Sequence, residues 1–200
     1  MDPLFDAKAL TELLNRCVTD WHNQPIIREH DHPFLSLAVQ LQAHNFELWH
    51  EEDKARDTRA QDNEIATIKR AIDGLNQRRN NAMESVDEFV LRALSGGGIQ
   101  TTPETPLHSE SVGAIVDRLS ILALKVFHML EQAERTDVDD NHREICEAKH
   151  SVLVDQQRDL TECLAILHDD LLAGRRRFKV YRQMKMYNDP KLNPVLYEQK

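Results

Sequence analysis

A helical repeat that asks for apolar side chains meets polar ones at five positions of this chain. In the stretch 34–56, Phe34, Ala38, Leu41, Asn45, Leu48, Glu52 and Ala55 step by fours and threes, which puts Asn45 and Glu52 on the apolar seam. Arg79 interrupts the run Ile65, Ile68, Ile72, Leu75, Ala82, Val86, Phe89. Asp117 and His128 fall on one of two seams within 109–135. An ionised group buried without a partner costs several kcal/mol. These five side chains must therefore pair with one another, meet a ligand or line a wet cleft. Glu47, His50, Asp53 and Arg56 flank them beside Trp49, and Lys69, Asp73, Asn76, Asn80, Glu84 and Asp87 form a stripe on the third helical stretch. Two chemistries suit such a set. Arginine's planar fork matches a phosphate, and a histidine oriented by a carboxylate acts as a general base. The competing reading is a satisfied polar network that sets helix register.

Other chemistries find less support. Glu47/His50 and Glu147/His150 are Glu-x-x-His pairs, which a di-iron bundle uses together with two lone glutamates. With 16 Glu and 10 His in 200 residues, about 0.8 such pairs arise by chance. Helical phase turns Glu147 and His150 away from Ile145, and Glu47 and His50 leave the Leu41/Leu48 seam. No metal site and no cofactor is expected. His30 and His32, in a turn-rich REHDHP stretch, could hold an adventitious ion but read as a surface loop. Gly96–Gly98 lacks the spacing of a phosphate-cradling loop and reads as a flexible linker. Ser120 carries no nucleophile motif and reads as a helix-packing serine.

The elements that must position these residues are helices. With 200 residues the chain fits one domain, and 6 Gly and 7 Pro are few chain breakers. No apolar run is long enough to span a membrane. The acidic start MDPLFDAKAL does not resemble a signal peptide. Cys17, Cys146 and Cys163 form no CxxC pair, which suggests reduced thiols and a cytoplasmic location. Apolar spacing predicts five helices, over about 7–21, 34–56, 61–94, 109–135 and 138–173. The fourth carries two seams and should be central. Ile145, Val152, Leu153, Leu160, Leu164, Leu167 and Leu171 are expected to face inward from the fifth, which ends at Gly174. The fold class is thus all-α, an antiparallel bundle of about five long helices. It divides into an N-terminal helix and loop (1–33), a core bundle (34–173) and a basic C-terminal tail (174–200).

That tail differs in kind. Residues 174–188 carry Arg175, Arg176, Arg177, Lys179, Arg182 and Lys185 and no acid, so a net charge of −9 leaves −15 on the rest. Basic residues interleaved with Phe178, Tyr181 and Tyr187 could grip an anion. The acidic remainder would repel a long polyanion, so nucleic acid is not the expected partner. Packing of the tail on its own acidic helices ranks first, a phosphate or sugar-phosphate site second.

Four ordered blocks, NFELWHEEDKAR (45–56), IKRAIDGLNQRRN (68–80), DRLSILALKVFHM (117–129) and FKVYRQMKMYNDPKLNP (178–194), resemble the bacterial domain of unknown function 4254 over about residues 35–197. The resemblance implies a cytoplasmic bacterial protein without an assigned activity, from a family often encoded near glycosyltransferases of surface glycans such as lipopolysaccharide. Its polar motif positions map to Trp49, His50, Glu52, Asp53, Arg56, Asp73, Asn76, Gln77, Arg79, Asn80, Asp117, Arg118, Lys125, His128, Lys179, Tyr181, Arg182, Lys185, Tyr187 and Asn188. One departure is visible: Ser109, Glu110, Ser111, Val112 and Gly113 stand where the family has Ser-Glu-Thr-Pro-Gly.

Seam and family positions coincide at Glu52, Arg79, Asp117 and His128, which favours a charged inter-helix pocket. The functional expectation is a binding protein for an anionic small molecule, a sugar phosphate or nucleotide sugar. Arg79, Arg118 and Arg182 would hold the anion, and Glu52, Asp73 and Asp117 would hold the arginines. Trp49, Asp53, Arg56, Asn76, Lys125, Lys179, Tyr181 and Lys185 complete the candidate set. The alternatives are an enzyme on the same substrates with His50 or His128 as general base, and a structural partner of a glycosyltransferase. The regular seam of the third helix would also suit a homodimer.

Overall fold

The computed structural model describes residues 4–184 and 190–198, and among these the regular elements are all helical. Each long helix starts where a side chain can take its first free amides. Asp6 accepts from the Lys8 and Ala9 amides and opens α1 (Ala7–Trp21). His32 stands at the start of α2 (Pro33–Lys54). Glu64 reaches back to the Gln61 amide at 2.9 Å to open α3 (Asp62–Gly96). Ser111 accepts from the Ala114 amide and Asp139 from the His142 amide, opening α4 (Val112–Ala133) and α5 (Asp140–Leu172). A short α6 covers Pro194–Tyr197. The bounds fall close to those the spacing predicts. α4 begins later than 109 because Ser111, rather than Ser109, is the cap.

Two helices end alike. Gly98 (φ 76°) and Gly174 (φ 66°) occupy the left-handed region just past α3 and α5. The Gly98 and Ile99 amides donate to the Ser95 and Leu94 carbonyls. Those of Gly174 and Arg175 donate to Leu171 and Asp170. Both are Schellman closures, which need a residue without a Cβ penalty at that place.

Short loops make hairpins of α2/α3 and α4/α5, and α1 packs across them. α4 touches α1, α2, α3 and α5, so the helix with two seams is the central one. The core gathers Leu10, Leu14, Phe34, Leu41, Val86, Val90, Ile115, Leu119, Leu124 and Leu164. The first turn of α4 lies directly against α3: a Cβ on Gly113 would stand 2.3 Å from the Met83 carbonyl oxygen.

α5 corrects one expectation. Ile145 and Val152 are exposed rather than inward, and Cys146 and Gln157 take the inner positions. The real seam runs through Cys146, Leu153, Gln157, Leu160, Leu164, Leu167 and Leu171. A search for apolar residues alone misses its polar member, Gln157, whose amide pairs with Asn15 of α1 at 2.9–3.0 Å.

The tail folds back onto the bundle from Arg175 to Gln183. Arg177 bridges to Leu107, exchanging backbone hydrogen bonds with Pro106 and His108. Phe178 is buried in the core. Arg175 and Arg176 reach Asp170, and Arg182 reaches Glu84 (2.6 Å) and Glu88 of α3. Lys185, Tyr187 and Asn188 lie outside the described residues.

Candidate functional site

Three of the five seam-breaking residues meet in one network. Asp117 of α4 accepts from Arg79 Nε (2.7 Å) and Nη2 (2.5 Å) on α3. The Asn45 amide of α2 donates to Asp117 Oδ1 and to Ser120 Oγ, both at 2.9 Å. Asn45, Asp117 and Ser120 are buried, and Arg79 is half-buried. The hydrogen bonds to Asp117 hold the Arg79 proton more firmly than usual. A fork spent on a carboxylate is not open to a phosphate, so this network ties α2, α3 and α4 together and neutralises itself.

The remaining arginines of the candidate set are paired as well. Arg118 contacts Glu110 at 2.7 Å, Arg182 contacts Glu84 and Glu88, and Arg56 contacts Glu52 at 3.0 Å. Glu52 also faces Lys69 at 3.7 Å. Asp73 is exposed and Asn76 half-buried on α3, while Lys179 and Tyr181 are exposed on the tail. The candidate residues thus spread over several surfaces rather than one pocket.

A smaller group converges around Trp49. Two hollows adjoin it, sharing Trp49 and Asp53 in their walls. One, of about 400 Å³, is lined by Asn45, Leu48, Glu52, Arg56, Ile121 and Leu124 and so touches the buried network. The other, of about 520 Å³, is lined by Lys125, His128, Met129, Gln132 and Leu153. Lys125 and the Asp53 carboxylate have no ion-pair partner among the described residues. The Trp49 and His128 rings stack at 5.0 Å and 8°. His128 Nδ1 meets Glu131 Oε2 at 2.7 Å, one turn on. That pairing orients the imidazole and leaves Nε2 as its free nitrogen.

Behind this wall the histidines continue. His22, at the C-terminus of α1, stacks on Phe127 (4.2 Å, 18°) and faces His50 and His128 at ring distances of 5.3 and 5.0 Å. Burial pushes His22 below its ordinary pKa, and the neighbouring His128 and His50 add to this. Sequence spacing does not mark His22, since it breaks no seam and belongs to no motif. Of the two Glu-x-x-His pairs, Glu47 turns to Arg28 rather than to His50's partners, and Glu147 is exposed.

The model of a family described as a protein of unknown function (DUF4254) matches residues 35–180. That stretch contains Trp49, His50, Asp53, Lys125 and His128. No curated protein and no solved structure matches the chain.

Proposed function

Since this chain belongs to the DUF4254 family, whose description carries no activity, we propose from its own geometry that the hollow of Trp49, Asp53, Lys125, His128 and Gln132 binds an anionic small molecule of the sugar-phosphate or nucleotide-sugar class. One observation carries this reading. Among the described residues Lys125 is a cation without an acid partner, placed in a concavity next to an indole and a carboxylate, Asp53, that has no cation partner there either, whereas the arginines first proposed for the anion are all occupied. An ammonium supplies a point charge for a phosphate, an indole offers a flat apolar wall to a sugar or base, and Asp53 accepts from hydroxyls. Thermal melting against a panel of sugar phosphates and nucleotide sugars tests it. At least one member should raise Tm in the wild type and not in Lys125→Ala.

A second reading is favoured by the 2.7 Å pairing of His128 with Glu131 in the wall of the same hollow. A carboxylate-oriented imidazole is the arrangement a general base requires, and here its buried Nε2 would have to turn outward from His22 and His50 to reach a ligand in the hollow. Turnover of the stabilising ligand, lost in His128→Gln with binding retained, would establish catalysis.

A further inference from the structure

We propose that His22, His50 and His128 form a site for a first-row transition-metal ion, with Zn²⁺ the best match to three imidazoles. The inference stands on the geometry of the histidines and does not rest on an anion in the neighbouring hollow. One ring nitrogen of each lies within 4.8 Å of those of the other two. The Nδ1 atoms are already committed: to the Val18 carbonyl for His22 (2.7 Å), to the Phe46 carbonyl for His50 (2.8 Å) and to Glu131 for His128 (2.7 Å). Each contact holds its ring as the tautomer with a proton on Nδ1 and a lone pair on Nε2. This is how metal-binding histidines are commonly oriented, the second nitrogen donating to a carbonyl or carboxylate.

Among the described residues the three Nε2 atoms have no hydrogen-bond partner. Those of His22 and His128 are buried with no hydrogen-bond partner, and that of His50 has none among the described residues. Buried polar atoms are normally satisfied, so converging orphan acceptors ask for a donor or a cation. On tetrahedral Zn²⁺ at about 2.0–2.1 Å, ligand nitrogens stand about 3.3 Å apart, so nitrogens within 4.8 Å of one another need close by at most about 1.5 Å. Three protein ligands leave a fourth position for water. His22 caps the C-terminus of α1, and His50 and His128 lie on α2 and α4, so the ion would join the N-terminal helix to the bundle.

The test titrates the full-length chain, freed of metal by chelation, with Zn²⁺ in a calorimeter and with Co²⁺ followed by visible absorption. No organic ligand is present, so failure here leaves the hollow's anion reading standing, and the reverse. One equivalent should bind, with the intense Co²⁺ spectrum of low coordination number. His22→Phe, which keeps a ring against Phe127, should lower affinity at least ~10-fold with unchanged helical circular dichroism. Glu131→Gln should weaken binding by about 10-fold or more. His30→Gln should bind as the wild type does. No binding, binding that survives His22→Phe, or binding lost in His30→Gln would overturn the proposal.

Discussion

Asp117 grips Arg79 through both carboxylate oxygens, at 2.7 and 2.5 Å, between the central helix and α3. The pair is mostly withdrawn from water, with side-chain exposures of 7% for Asp117 and 24% for Arg79. Asn45 and Ser120 extend it to α2 and within α4. Removing one member strands the others, which is costlier than removing the pair. Asp117→Leu should therefore destabilise the fold by about 3 kcal/mol in denaturant unfolding. Arg79→Met in the same chain should recover part of that loss. If the two single effects simply add within about 0.5 kcal/mol, the network does not couple the helices.

The first turn of α4 makes an opposite pair of glycine predictions. At Gly113 a Cβ would meet the Met83 carbonyl oxygen at 2.3 Å and Asp87 Oδ1 at 3.0 Å, and backbone cannot swing aside. Gly113→Ala should cost about 3 kcal/mol. At Gly74, mid-helix, the nearest atom is the flexible tip of Arg78 at 3.4 Å. Gly74→Ala should stabilise by roughly 0.5–1 kcal/mol. Thermal melts of the two variants should move in opposite directions; equal signs would contradict the close approach of α4 to α3.

Asp87 predicts a pH dependence. It is buried beneath α4, where its Oδ1 accepts from the Gly113 amide at 2.6 Å. Burial pushes it up to about 6, and the contacts with Ser111 and Gly113 offset only part of this, while Glu84 adds to the rise. The folded chain thus keeps a proton that the unfolded chain releases between about pH 4 and 6. The stability this carboxyl contributes is full below about pH 4 and falls as pH rises through 6, by an amount on the order of 3 kcal/mol. Asp87→Asn retains the acceptor for Gly113 without the charge. Its stability curve should lack that descending limb, and a limb of equal size in both proteins would refute the assignment.

Much of this was legible in residue spacing, and the exceptions have a common cause. Asn45, Arg79 and Asp117 stood out because each interrupts an apolar seam, and they do pair with one another. The two left-handed glycines end α3 and α5 where chain breakers follow apolar runs. His22 was not legible, because its convergence with His50 and His128 depends on how α1 crosses α2 and α4. Spacing along one helix carries no record of such a crossing. The pairing of Arg118 with Glu110 was hidden likewise, since it spans the α4 cap rather than a helical turn. Ile145 and Val152 misled because the seam of α5 passes through Gln157, a polar residue held by Asn15.

The central claim is that the Lys125 ammonium beside Trp49, and not the paired arginines, receives the anion. Calorimetric titration with glucose 1-phosphate and with a uridine diphosphate sugar, across wild type, Lys125→Ala and Arg182→Ala, tests it most directly. Losing a charged hydrogen bond of about 1.5–3 kcal/mol should weaken binding of whichever probe binds by roughly 10- to 100-fold in Lys125→Ala. Arg182→Ala should bind within about twofold of wild type, as its guanidinium already serves Glu84 and Glu88. Affinity unchanged in Lys125→Ala, or lost in Arg182→Ala, would contradict the account.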